Sequence, residues 1–377
     1  MQQQSSEKIK VLMVLGTLNY GGAEIFCLNL LKQIDRHKYQ VDFVVNSLTR
    51  SDLENEITLL GSSIHVIPRF NGISFRKYRR NWKKLLKVNH YDIVHGHASG
   101  AMSIYLSVAK KLGCKTIAHS HSASNRGNLV QKFGKKIWSY NAKKYADYWF
   151  ACSDLAAKRL FGRKYLKSNK YVFVPNGIDI ERYGFSNKNR ESIRNELKLS
   201  NQNIVVGHVG SFTKPKNHEF LLNVFYKLYS MNKNYRLVLC GDGERKTLIV
   251  NEVAKLGLTK VVYFIGNTNE TEKYYSAFDV FVFPSLFEGL PVSLIEAQCN
   301  GLTIVCSNNI TRDVCVSECI FKLGLDYNLT CWTEKINSLA HKKIDRSAGK
   351  RIISTSPFTI QNTCKVIETI YEKLINN

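Results

Sequence analysis

Lys10-Val11-Leu12-Met13-Val14-Leu15 is a short, almost wholly apolar run, and together with the residues after it this run decides the fold. The chain turns through Gly16 to Gly22, and from Ala23 to about Ile34 its apolar residues recur at helical spacing. A brief apolar run, a glycine-marked turn and an amphipathic helix predict a buried strand feeding a crossover of a parallel sheet. The unit repeats. Strands are expected at Val41–Val45, Ile64–Ile67, Tyr91–His95, Thr116–His119, Tyr148–Cys152 and Tyr171–Val174. Pro175-Asn176-Gly177-Ile178-Asp179 is then turn chemistry, because proline fixes the entry and Asn-Gly tolerates positive φ. A polar stretch continues to about Asn203, so the domain boundary belongs there. Alternation restarts with Ile204–Val209, Arg236–Cys240, Val261–Ile265, Val280–Phe283 and Leu302–Cys306. The expected architecture is α/β, with two doubly wound, Rossmann-like domains at 1–178 and 179–360 facing across a cleft. Residues 361–377 are expected to form a helix returning to the first domain.

The 377 residues suffice for two ordinary cores, and 44% hydrophobic with 22% charged residues is globular composition. Met1 to Lys10 lacks the apolar centre of a signal peptide, and no uncharged run nears the ~18 residues of a membrane span. The expectation is a cytoplasmic protein, soluble or resting on a membrane surface. Ten cysteines include no Cys-x-x-Cys pair, and Cys315 and Cys319 lack nearby histidines, so free thiols in a reducing compartment are expected.

The net charge of +24 lies mostly in the first half. Arg76, Lys77, Arg79, Arg80, Lys83, Lys84 and Lys87 interleave with Tyr78, Trp82, Leu85 and Leu86. Lys132, Lys135, Lys136, Lys143 and Lys144 accompany Phe133, Ile137 and Trp138. Both read as basic amphipathic helices suited to an anionic lipid surface, against the plainer reading of a solvated basic face. No nucleic-acid motif accompanies the charge, so no nucleic-acid partner is expected.

Four features carry chemistry. Gly21-Gly22-Ala23-Glu24 opens the first helix, where bare backbone and free N–H groups suit phosphate. Phe283 to Ala297 reads as strand, loop and helix, with Pro291 at the helix start. There the amides of Gly289, Leu290, Val292 and Ser293 would converge on an anion, a nucleotide diphosphate being the natural occupant. Glu296 would accept from ribose hydroxyls, and Glu288 in the loop would reach a sugar ring. Lys216 follows the strand 204–209 and would neutralise phosphate. His95, His97, His119 and His121 follow two strands of the first half. His-x-His can bind metal, but no carboxylate accompanies these, which favours a polar contact to substrate.

Together these segments resemble the retaining family-4 glycosyltransferases of the GT-B fold over nearly the whole chain. Glu288 and Glu296 match that family's Glu-x7-Glu pattern, with Gly289-Leu290-Pro291 between them. Pro175–Asp179, Lys216 and Gly241-Asp242-Gly243-Glu244 match as well, and the wording around Gly21, His119–His121 and Lys216–His218 looks most like the capsule and exopolysaccharide branch. The resemblance implies that Glu296 binds the donor ribose, Glu288 the transferred sugar and Lys216 the diphosphate. It places Gly241 and Asp242 near the base, Gly21 and Gly22 beside donor phosphates and acceptor, and His119 or His121 against substrate. It further implies a UDP-sugar co-substrate with no other cofactor, no metal, and a lipid-linked or polysaccharide acceptor. No Asp-x-Asp triplet occurs, in keeping with a metal-independent reaction. One position departs: Ser211 stands where the family usually carries arginine at the donor site. Two other functions fit the same fold, a nucleotide-sugar epimerase and a non-catalytic, membrane-associated partner subunit. A nicotinamide dehydrogenase is disfavoured because Gly-x-Gly-x-x-Gly is absent.

Overall fold

The last four residues of β1 (Ile9–Val14) are fully buried, as the apolar run requires of a strand covered on both faces. The coordinates are a computed structural model that describes residues 7–19, 21–48, 51–121, 141–342 and 344–376. The chain divides into two compact units, Met1–Gly177 with Ile360–Asn377, and Ile178–Thr359.

In unit 1, β1 is joined by β2 (Tyr39–Val45), β3 (Ile64–Val66), β4 (Ile93–Gly96), β5 (Lys115–Ser120), β6 (Tyr148–Ala151) and β7 (Tyr171–Phe173). All pair in parallel, in the order β3-β2-β1-β4-β5-β6-β7, so the direction of winding reverses between β1 and β4. The helix Ile360–Asn376 buries Cys364, Ile367, Ile370, Tyr371 and Leu374 in the same core as the helix Gly22–Gln33.

Unit 2 repeats the plan with β8 (Ile204–Val209), β9 (Tyr235–Cys240), β10 (Val262–Gly266), β11 (Val280–Phe283), β12 (Thr303–Ser307) and β13 (Ile320–Leu323). The order is β10-β9-β8-β11-β12-β13, again parallel, with reversal between β8 and β11. Open sheets of this kind bind ligands beyond the carboxyl ends of the strands at that reversal. The Rossmann-like expectation holds in both units.

Three expectations need correction. β13 lies beyond the last strand expected; it is a half-buried edge strand of four residues with Lys322 inside it, too short for periodicity to show. The polar stretch 179–203, read only as the place of the domain boundary, forms the helices Ile180–Tyr183 and Asn187–Glu196. The second of these buries little besides Ile193 and is held instead by Arg190 and Arg194, both paired with Asp279. Ion pairs replaced the apolar stripe that would have betrayed it. Finally, the basic helix Phe75–Asn89 turns Tyr78, Trp82 and Leu86 into unit 1, where Trp82 stacks on Tyr105 at 5.0 Å. Its apolar face is core, which leaves its basic face for any lipid contact. Lys132, Phe133, Lys135, Lys136, Ile137 and Trp138 lie outside the described residues, while Lys143 and Lys144 sit on the short helix Ala142–Tyr145.

All ten cysteines are free, seven of them buried. Among the described residues no helix is long and apolar enough to cross a membrane.

Candidate active site

The loop after β11 is tied to the loop after β8 at three points. Leu286 N–H donates to the carbonyl of Pro215 at 2.8 Å, Asn217 Nδ2 donates to the carbonyl of Pro284 at 3.2 Å, and Lys216 Nζ pairs with Glu288 Oε1 at 2.8 Å. Both side chains of the pair are about 15% exposed, so solvent screens it only partly. Lys216 also lies 4.7 Å above the Phe283 ring. Two residues expected to play separate parts thus meet as one ion pair.

The turn carrying Lys216 (Lys214–Lys216) ends at Asn217, whose φ of +56° bends the chain into the helix His218–Met231. Gly210 leaves room for the lysine stem, since a Cβ there would come within 3.2 Å of its methylenes. Beneath, His208 donates from Nδ1 to the carbonyl of Val282 at 2.9 Å, and His218 stacks on Phe212 at 4.2 Å. Burial, with Lys216 and Arg245 nearby, holds His218 down at about 4. Ser211 is half-buried, with its hydroxyl 3.4 Å from that of Thr213. Gly241, at φ +136°, lets its loop cross the Gly210 carbonyl, a contact that any side chain would obstruct. Asp242 beside it accepts from the Gly243 amide at 2.7 Å and pairs with Lys246 at 2.9 Å.

Past Glu288 the helix Val292–Cys299 starts after Pro291, which acts as its N-cap and not, as expected, its first residue. Leu290 and Val292 pack their side chains against the core of unit 2. Leu294 N–H bonds back to the Pro291 carbonyl. The amides of Gly289, Leu290, Val292 and Ser293 have no acceptor among the described residues. Four N–H groups without a protein acceptor at a helix start are an arrangement that suits an anion.

Glu296, one turn further in, accepts from Tyr275 Oη at 2.8 Å. Burial pushes its carboxyl above the usual range, opposed by hydroxyl bonds from Tyr275 and Tyr183 and by the charge of Arg182. Arg182 is itself fixed by Glu272 at 3.0 Å and by the Asn269 carbonyl. Sequence reading did not find Tyr183, Arg182 or Tyr275. No spacing rule joins them to Glu296, although only two residues separate Arg182-Tyr183 from the boundary turn.

In unit 1, Gly21 caps the helix Gly22–Gln33 and Gly22 is its first residue, with open space where a Cβ would stand. The His-x-His pairs fall at the ends of adjacent strands β4 and β5. Alternation puts residues i and i+2 on one face, so the four rings gather there. His95 Nδ1 bonds Tyr371 Oη at 2.7 Å, and its Nε2 meets His119 Nδ1 at 3.2 Å. His97 Nδ1 meets His121 Nε2 at 2.7 Å, and His121 Nδ1 meets Asn176 Oδ1 at 3.0 Å. The nitrogens left over are His97 Nε2 and His119 Nε2, both buried and without a partner of full hydrogen-bond geometry among the described residues. His119 is wholly buried and His121 partly exposed, yet both nitrogens of His121 are spent within the cluster. Burial first, then mutual repulsion, holds His97 and His119 far below the ordinary imidazole range; burial holds His95 at about 3 and His121 at about 4. The rings are neutral. His95, His97 and His119 bring ligand nitrogens within 4.8 Å of one another, the described residues best arranged for a metal. Phe26 of the helix Gly22–Gln33 packs on this stack, 5.2 Å from His119 and 4.9 Å from His121.

Known proteins match this layout. Residues 20–182 match the family described as Glycosyltransferase Family 4, and residues 189–318 that described as Glycosyl transferases group 1. EpsF of Bacillus subtilis (strain 168) is 30% identical over 337 residues, covering 88% of this chain and 88% of its own. The capsular polysaccharide biosynthesis glycosyltransferase CapH of Staphylococcus aureus is 28% identical over 379 residues, covering 96% and 98%. Among solved structures, HepE of Anabaena in complex with UDP and glucose superposes with a TM-score of 0.78 at 17% identity, covering 97% of this chain and 99% of that one. With two Rossmann-like sheets and relatives alike along most of their length, the chain belongs to the group 1 glycosyltransferases of the GT-B fold.

Proposed function

We propose that the chain is a retaining, metal-independent glycosyltransferase that moves a sugar from a UDP-sugar to a lipid-linked or polysaccharide acceptor in cell-surface polysaccharide synthesis. The observation that carries this reading is the turn Gly289–Ser293, four unbonded amides opening the helix that holds Glu296. The donor diphosphate lies against those amides and Lys216, and Glu296, oriented by Tyr275, accepts from the ribose. The anomeric C–O bond breaks with its electron pair leaving on the diphosphate. The acceptor hydroxyl oxygen bonds the anomeric carbon on the same face, and its proton passes to the departing phosphate. Amides and Lys216 stabilise charge where it develops, which is electrostatic catalysis by preorganised groups. No covalent nucleophile is assigned. Glu288 holds the transferred sugar and shares Lys216 with the phosphate. Among the histidines, His121 is the one partly exposed and the better candidate for substrate, on rotation away from His97. The basic face of Phe75–Asn89 meets the anionic inner surface of the cell membrane through charge alone.

A melting-temperature panel of nucleoside diphosphates tests the reading. UDP at 100 times its Kd should stabilise unit 2 by about 2.7 kcal/mol. The Glu296→Ala chain should show no such gain. If no nucleoside diphosphate stabilises the wild-type chain, the assignment is wrong.

A further inference from the structure

Hydrogen bonding within the His-x-His stack of unit 1 leaves His97 Nε2 as a bare lone pair. His121 Nδ1 lies 3.0 Å from Asn176 Oδ1 and, because a carbonyl oxygen only accepts, carries its proton there. The neutral ring then accepts at Nε2, so His97 donates to it from Nδ1 across 2.7 Å. His97 Nε2 remains, buried and with no hydrogen-bond partner among the described residues. A polar atom kept from water in this way calls for an occupant.

The facing pair supplies two more nitrogens, His95 Nε2 and His119 Nδ1, which stand 3.2 Å apart. Two imidazole nitrogens on one tetrahedral zinc, each at about 2.0–2.1 Å, are separated by about 3.3–3.4 Å. The pair therefore already has the spacing of neighbouring ligands. His95, His97 and His119 each bring one nitrogen within 4.8 Å of the others, and all three rings are buried. The widest gap exceeds the tetrahedral edge, so one ring swings inward as an ion binds. Ligating histidines are commonly held by a bond to the other ring nitrogen, and these three are held alike. Tyr371 Oη bonds His95 Nδ1 at 2.7 Å, His121 bonds His97 Nδ1, and the backbone of Val174 contacts His119. Phe26 and Phe150 stand edge-on to His119 at 5.2 and 5.5 Å, an apolar wall beside the cluster. The group contains no carboxylate. Magnesium and calcium require oxygen ligands and do not suit it, whereas imidazole suits zinc and its first-row neighbours.

We propose that His95 Nε2, His97 Nε2 and His119 Nδ1 bind one divalent first-row transition-metal ion of the zinc type, with a solvent molecule as fourth ligand. The ion ties the ends of β4 and β5 together and, through Tyr371, to the returning helix Ile360–Asn376, so its role is to stabilise unit 1. It takes no part in the sugar transfer proposed above, where Lys216 and the amides of unit 2 meet the developing charge. The site therefore stands or falls independently of that reading.

Calorimetric titration of the full chain, free of any affinity tag, with zinc chloride tests the site, and cobalt(II) serves as a spectroscopic probe. The wild type should bind one zinc ion tightly, and cobalt should give the visible absorption of a tetrahedral site of nitrogen and oxygen ligands. His97→Asn should weaken zinc by roughly a hundredfold or more, and Tyr371→Phe, which keeps all three ligands, by about tenfold. Cys331→Ser, which removes an exposed thiol of unit 2, should bind zinc as the wild type does. Circular dichroism checks that the variants fold; if His97→Asn does not, Tyr371→Phe and the wild-type cobalt spectrum carry the test. A wild type that binds no zinc overturns the proposal and leaves His97 Nε2 to a buried water. Equal zinc affinity in the wild type and a folded His97→Asn chain overturns it too, as does unaltered affinity in Tyr371→Phe. A cobalt spectrum dominated by thiolate charge transfer assigns the ion to cysteines and refutes the histidine site.

Discussion

The two sheets share one winding plan, yet their strand ends hold opposite chemistry. In unit 2 the functional side chains are charged and matched: Lys216 with Glu288, Arg182 with Glu272, and Glu296 held by two tyrosine hydroxyls. In unit 1 the corresponding end of the sheet holds four neutral imidazoles, three of them buried, bonded to one another, to Tyr371 and to Asn176. A site for a highly charged ligand keeps charges ready and exchangeable. A stack of neutral rings offers shape and orientation, and its cost appears only on protonation. On the proposed function, the difference assigns electrostatics to the donor half and positioning to the histidine half, and each assignment can be broken separately.

The largest effect should come from Glu296. Glu296→Ala removes the acceptor for ribose hydroxyls and leaves Tyr275 and Tyr183 without their partner. Transfer should fall by roughly 10²–10³-fold, about 3–4 kcal/mol of transition-state stabilisation. A rate within about threefold of wild type, ~0.7 kcal/mol, would contradict the role. Glu288→Gln sharpens the comparison instead. With its charge gone, Lys216 is free for phosphate, so UDP should bind about threefold more tightly while transfer drops at least tenfold. Equal changes in both quantities would mean that the ion pair has no part in sharing the lysine.

Sequence made the charged half far more legible than the neutral one. Strand, glycine, proline and helix between Phe283 and Ala297 announce a helix start, and local chemistry sufficed to place its amides. The His-x-His repeats were visible too, but their bonding was not. Tyr371 reaches His95 across 276 residues, and Asn176 reaches His121 across 55. Contacts of that range depend on how the last helix returns to β4, which no local pattern encodes. The helix Asn187–Glu196 escaped for a related reason, since Asp279, more than 80 residues away, supplies what an apolar stripe normally would.

Acid should break unit 1 first. His95 and His121 titrate at about 3 and about 4, against an ordinary imidazole near 6.5, and His97 and His119 are also depressed. Because the folded values are lowered, the unfolded chain binds more protons as pH falls below about 6.5, and stability declines from there towards the folded values. Glu296 has the opposite sign: its raised folded value adds stability at low pH that is lost as pH rises through it. Melts between pH 7.5 and 4.5 should therefore show unit 1 losing stability on acidification, with a shallower slope in a His97→Asn, His121→Asn chain. Equal slopes would show that the stack is not what titrates.

The smallest effect concerns Ser211. With Lys216 shared with Glu288, the donor site holds little net positive charge, and the guanidinium expected from the family resemblance is missing. Ser211 is only half-buried and its hydroxyl makes a single long contact, to Thr213 at 3.4 Å. Ser211→Arg should tighten UDP binding by roughly threefold to tenfold, the range of one added charge-assisted hydrogen bond that is partly screened. The gain should shrink at high salt, and titrations at low and high ionic strength read it directly. If the substitution leaves UDP affinity unchanged at low salt, the charge deficit is not what limits donor binding, and the four amides with Lys216 already meet the whole demand of the diphosphate.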